Sequence, residues 1–163
     1  MEVAILRLIH ISAGITWAGM GITMGWFIIP ALAEAGPAGG AVMKGVAARR
    51  LPQAASGAGV VTVLAGLRLY QLRFTVAWLT TLEGLALTLA LLTGISALVI
   101  GVGVQRPTAM KLGELAAANA GGPPTEEMKK LSARMLRLGN AIAWHLATLV
   151  LLMAGLRLIQ ALS

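Results

Sequence analysis

The sequence predicts an all-α membrane domain, a bundle of four transmembrane helices. Three observations predict it: four long stretches almost free of charge, charged residues bounding each stretch, and too little charge overall to clothe a soluble domain. The chain has 163 residues, 58% hydrophobic and only 12% charged, with mean hydropathy +0.84. A soluble domain of ordinary composition is about a quarter charged. Lipid removes that need, and the length suits one domain. Strands do not fit, because an open sheet edge leaves backbone groups unsatisfied in hydrocarbon.

Taken in order, the first stretch runs from Leu8 to Ala33 between Arg7 and Glu34. The second runs from Leu51 to Leu67 between Arg50 and Arg68, and the third from Gly84 to Gln105 with Glu83 at its start. The fourth runs from Leu138 to Leu156 between Arg137 and Arg157. A bilayer core needs about 20 apolar residues per helix. With flanking turns, helices are expected over 4–34, 51–71, 76–105 and 130–162, joined by cytoplasmic loops 35–50 and 106–130. Ala31-Leu32-Ala33 imitates a leader cleavage site, but the apolar stretch before it is about twice a usual leader core, so a retained helix is expected. In the second loop, Thr125 is placed to cap a helix opening with Glu126 and Glu127, acids that suit a helix N-terminus.

The basic residues set orientation. Lys44, Arg49, Arg50, Arg106, Lys111, Lys129, Lys130, Arg134 and Arg137 fall on the side of the two long loops. Only Arg7, Arg68, Arg73 and Arg157 fall on the other. The positive-inside rule then puts both termini on the extracytoplasmic side of a cell membrane. The formal charge of +7 does not point to nucleic acid, because the cations flank apolar segments and are not interleaved with aromatics. No cysteine is present, which removes disulfides, thiolate metal sites and cysteine nucleophiles.

Ala65-Gly-Leu-Arg-Leu-Tyr-Gln71 closes the second helix and Ala154-Gly-Leu-Arg-Leu-Ile-Gln160 the fourth. This similarity suggests two helical hairpins related by an axis along the membrane normal; the competing reading is coincidence in a Leu/Ala/Gly-rich chain. The histidines do not follow the repeat, since Ser56 stands where His145 would be matched.

Only two histidines exist, His10 and His145, and both lie in uncharged spans. A coordinating or ionisable side chain is costly in lipid, so each is a candidate functional residue. At a rise of about 1.5 Å per residue, His10 lies roughly 5 Å below Arg7 and His145 roughly 18 Å below Arg157. That difference argues against simple bis-histidine ligation of one haem. Met153 is close to level with His10, and Met20 with His145; thioether and imidazole both ligate haem iron. The plainer reading of these methionines is gap filling. Arg7, His10, Arg68, Glu83 and Arg157 gather within about two turns of the outer surface. Arginines there suit carboxylates such as haem propionates, and Glu83 suits fixing a histidine tautomer; snorkelling explains arginines at helix ends equally well. Trp17 and Trp144 are deep enough to line a flat ring, Trp78 reads as an interfacial anchor, and Trp26 is open. Gly14, Gly19, Gly21 and Gly25 permit close helix packing or a planar ligand. Phosphate-loop, paired-histidine zinc and Ser/His/Asp patterns are all missing.

His10-Ile-Ser-Ala-Gly-Ile-Thr-Trp17-Ala-Gly19 resembles the opening of the HemJ-type protoporphyrinogen oxidases: a histidine, six residues, a tryptophan, then glycine. It is similar also to the CopD-like membrane proteins grouped with them. Leu64-Ala-Gly66-Leu-Arg-Leu69 followed by Trp78-Leu79 resembles the second helix and next turn of that superfamily. The resemblance implies a four-helix membrane bundle holding a b-type haem, with His10 as the carried-over ligand. After the Trp-Leu pair the oxidases have a nearby lysine; Thr80 to Glu83 has none, and a Lys-Pro-Phe-like ending is missing too.

The leading expectation is therefore a haem-b membrane protein that passes electrons, alone, as a homo-oligomer, or as a subunit of a larger membrane redox complex. His10 is its expected iron ligand, His145 a second or separate ligand, Arg68 and Arg157 the propionate partners. Three alternatives stand beside it: a porphyrinogen-oxidase-like enzyme, a copper-handling protein using Met20 and Met24 at i, i+4 spacing, and a cofactor-free structural subunit.

Overall fold

The computed structural model describes residues 1–119 and 122–162, with side chains given except those of Pro37 and 157–162. Every described element is helical. We label them α1 (Glu2–Glu34), α2 (Pro37–Ala48), α3 (Leu51–Gln71), α4 (Val76–Leu79), α5 (Leu82–Ala118) and α6 (Glu126–Leu162). Among the described residues, three stretches are long and apolar enough to cross a membrane: α1, α5, and Glu126–Leu156 of α6. The 21 residues of α3 dilute their apolar character with Gln53, Ser56, Thr62, Arg68 and several glycines, and α3 is not among those three.

The long helices pack in antiparallel neighbours. Glu2 meets Arg68, His10 meets Thr62, and Trp17 meets Gly59, so α1 and α3 run in opposite directions. Gly21 faces Leu146 and Gly25 faces Gly139, so α1 and α6 do too. Tyr70 bonds Thr88 and Gly94 faces Leu149, which opposes α5 to both α3 and α6. The tightest core joins Trp17 and Ala18 of α1, Ala97 of α5, and Ile142 and Leu146 of α6, with Ala58 and Val63 of α3 against it.

Several element bounds differ from the sequence reading, each for a local reason. The helix expected over 76–105 is interrupted after Leu79. Thr75 accepts the Trp78 N–H (3.1 Å) and caps α4; Thr81 accepts the Gly84 N–H (3.0 Å) and caps α5. Two such caps in succession outcompete one continuous helix. Most of 35–50 is helical, because Gly36 takes φ 57° to turn the chain and Pro37 sits in the first turn of α2, where its missing N–H is harmless. Residues 106–118 continue α5 instead of looping. Both α1 and α5 carry a π-helical turn, Met24–Ile28 and Ile100–Gln105, and each lies just before a proline, Pro30 and Pro107. A proline inside a helix removes a hydrogen bond and crowds the preceding turn; a widened turn accommodates both effects. At the start of α6, Thr125 accepts the Met128 N–H through its hydroxyl (3.3 Å) and the Lys129 N–H through its carbonyl (3.0 Å).

Candidate cofactor site

A cavity of about 530 Å³ lies among α1, α3, α5 and α6, at the end of the bundle where α1 begins and α3 ends. Its wall is mainly aliphatic, from residues such as Ile11, Leu87, Leu91 and Leu149; among the described residues, Arg7, Arg73 and Glu83 are its charged lining. The size falls inside the range of about 300–1,000 Å³ usual for small-molecule sites.

His10 is half-buried on this cavity. Its Nδ1 lies 2.8 Å from the Thr62 carbonyl oxygen. A carbonyl only accepts, so Nδ1 carries the proton and donates it. In the tautomer that this bond selects, Nε2 is the lone-pair nitrogen, and no hydrogen bond to it occurs among the described residues. Two features of α3 make this arrangement possible. A Cβ at Gly66 would sit 2.8 Å from Cε1 of His10, so any larger residue would push the ring from this position. One turn earlier, the Thr62 hydroxyl bonds the Ala58 carbonyl (2.7 Å), which keeps its own side chain turned back along the helix.

Of the other residues singled out from the sequence, Trp17, Glu83 and Met153 line the same cavity. Trp17 is buried, its indole lying where Gly59 lacks a side chain. Glu83 is ion-paired with Arg73. Arg68 is half-exposed and pairs with Glu2 at 2.8 Å, outside the cavity wall. His145 does not line the cavity; its Nδ1–H donates to Ala141 of its own helix at 2.7 Å. Met20 is likewise elsewhere, and the Arg157 side chain lies outside those described. Trp26 and Trp144 meet edge to face at 5.0 Å, away from the cavity lining.

Residues that the sequence did not single out complete the site. Tyr70 donates its hydroxyl proton to Thr88 (2.7 Å), since the Thr88 proton goes to the Gly84 carbonyl. The Thr62 carbonyl has no residue-type signature, and Gly66 was visible only as part of a family-like motif.

The donor set discriminates between metals. Among the described residues no group of three or more His, Asp or Glu side chains gathers to cage a bare ion. A metal held in a macrocycle brings most of its donors with it and would need few from the protein; His10 could supply one, its other ring nitrogen being anchored on the Thr62 carbonyl. Metal-ligating histidines characteristically have that anchor. The residues present therefore fit a haem better than a free cation. No protein-family model matches the chain, nor does any curated protein or solved structure.

Proposed function

We infer that this chain is a haem-b-binding membrane protein with an electron-transfer role, acting alone or as a subunit of a membrane redox complex. One observation carries the reading: an imidazole on an apolar cavity, held through Nδ1–H by a carbonyl, with Nε2 left for a ligand. A bound haem supplies reversible one-electron exchange. The chain's part is to hold and orient it. His10 would hold the iron, with Met153 as the candidate second donor on the same cavity. Arg7 lines the cavity with no ion-pair partner among the described residues, which makes it a stronger propionate partner than Arg68, already engaged by Glu2. The aliphatic wall would shield the flat faces of such a group from water.

On this reading α3 is the fourth span. Its 21 residues extend roughly 31 Å, enough for the hydrocarbon core. Four cations at the cavity end against nine at the other favour extracytoplasmic termini. The HemJ-like and CopD-like resemblance supports the same plan.

The test is an absorption spectrum of the protein purified in detergent, before and after haem addition. A Soret band is expected in the wild type and its loss in His10→Ala, with helical content unchanged in both. A wild-type protein that stays colourless after haem addition rejects the reading and leaves a cofactor-free subunit.

A further inference from the structure

The end of the bundle opposite the His10 cavity carries a second depression, of about 320 Å³, between α5 and α6. Val104 and Leu131 make its apolar side, and Thr108, Lys111 and Arg134 its polar side. It lies on the π-helical turn before Pro107, where the widened backbone of α5 changes the packing against α6.

We propose that this groove binds the phosphate of an anionic phospholipid. Charge is the first support. From Arg106 to Arg137 there are six cations (Arg106, Lys111, Lys129, Lys130, Arg134, Arg137) against three glutamates (Glu114, Glu126, Glu127), a surplus of three. Two of those glutamates are spent within the segment: Glu126 pairs with Lys129 at 2.7 Å and Glu127 with Lys111 at 2.5 Å. Arg134 is exposed and has no ion pair among the described residues, so its guanidinium fork is available to two phosphate oxygens.

Position is the second support. The groove interrupts the transition from the apolar part of α5 to its polar extension, where a headgroup lies when the helix spans a bilayer. Val99, exposed about one turn before the groove, and Val102, exposed directly before it, offer an apolar track for an acyl chain. A free phosphate would use the cations but not that track. Lys111 need not abandon Glu127, because both side chains are about half exposed (58% and 51%) and the ammonium has three donors. Basic pockets between membrane helices bind anionic headgroups by this combination.

The experiment uses the full chain in neutral detergent and follows thermal stability on addition of phosphatidylglycerol, phosphatidylcholine or inorganic phosphate. Phosphatidylglycerol is expected to stabilise, and the other two to have little effect. Lys111→Gln with Arg134→Gln is expected to weaken the phosphatidylglycerol response about 30-fold in apparent affinity, at about one cation's surface attraction each. Arg49→Gln with Arg50→Gln removes as many cations outside the groove and is expected to leave the response in place. Arg134→Gln alone, which breaks no ion pair among the described residues, replaces the double variant should that fail to fold; about fivefold weakening is then expected. Equal stabilisation by phosphatidylcholine, an equal effect of inorganic phosphate, or equal loss in the Arg49/Arg50 control overturns the proposal.

Discussion

The two halves of the long-helix bundle use glycine for opposite ends. In the half around Gly25 and Gly139, glycine faces glycine: a Cβ on Gly139 would lie 3.6 Å from the Gly25 Cα, and one on Gly25 would run into the Gly139 carbonyl. Backbone approaches backbone, and Leu146 beside it is fully buried. In the half around His10, glycine faces a ring. Gly59 admits the Trp17 indole and Gly66 admits the His10 imidazole, and beyond them the same helices leave a cavity of about 530 Å³. Small residues in membrane helices usually serve close packing. Here the second half uses them to position aromatic groups, so α1 packs closely on α6 through one set of glycines and borders the cavity with α3 through another.

The largest expected effect that sharpens this contrast comes from truncating one leucine in each half. Leu146→Ala should cost on the order of 2–5 kcal/mol, because Leu146 is fully buried and its neighbours cannot close the gap. Leu91 lines the existing cavity and lacks packing partners on that side, so Leu91→Ala should cost less than about 1 kcal/mol. Denaturant titration of the two variants in the same detergent measures both. Equal costs would mean that the hollow half is as tightly packed as the other, and the cavity would lose its standing as a site.

A smaller effect is expected from adding a methyl group to a glycine. Gly66→Ala places a carbon 2.8 Å from Cε1 of His10, and the ring or α3 must shift. Overpacking of this kind costs about 1–3 kcal/mol. If the cavity holds haem as proposed, its retention through purification should fall in parallel, since the Thr62 anchor is set by the same approach of the two helices. Gly19→Ala is the control: no atom lies within 4 Å of a Cβ there, so stability and colour should be unchanged. Retained colour in Gly66→Ala with an unchanged spectrum would show that the imidazole is not confined as the close contact implies.

How much of this the sequence announces depends on whether a feature has a residue-type signature. The all-helical class and the apolar helices were legible because lipid demands long uncharged runs. His10 stood out because an imidazole in such a run is costly. The Thr62 carbonyl that orients it was not legible, since any residue supplies a carbonyl. The break between Leu79 and Leu82 was hidden because threonine reads as a tolerable helix residue until two of them are seen capping. Helix α2 was hidden for the opposite reason: Gly36, Pro37, Gly39 and Gly40 read as breakers, yet Pro37 lies in a first turn and Gly39 packs against Leu32. The depth ruler brought Met153 level with His10, and both line the cavity. It could not say that His145 looks elsewhere, because depth carries no information about azimuth.

The smallest expected effect concerns the ion pair at the cavity's charged end. Arg73 lies just beyond α3 and Glu83 in the first turn of α5, so their contact ties the two helix ends together across α4. Their side chains are 40% and 27% exposed, which places the pair where water screens it, and Arg73→Gln should cost less than about 1 kcal/mol. Its kinetic effect should be easier to see. Both residues line the cavity, so weakening their contact loosens one edge of it, and on the proposed haem reading a few-fold faster transfer of haem to a scavenging protein is expected at low salt. At high ionic strength the wild type should approach the variant, because salt already weakens an exposed pair. Indistinguishable transfer rates at every salt concentration would assign the pair to joining α3 and α5 only, and the way into the cavity would then lie along its apolar wall.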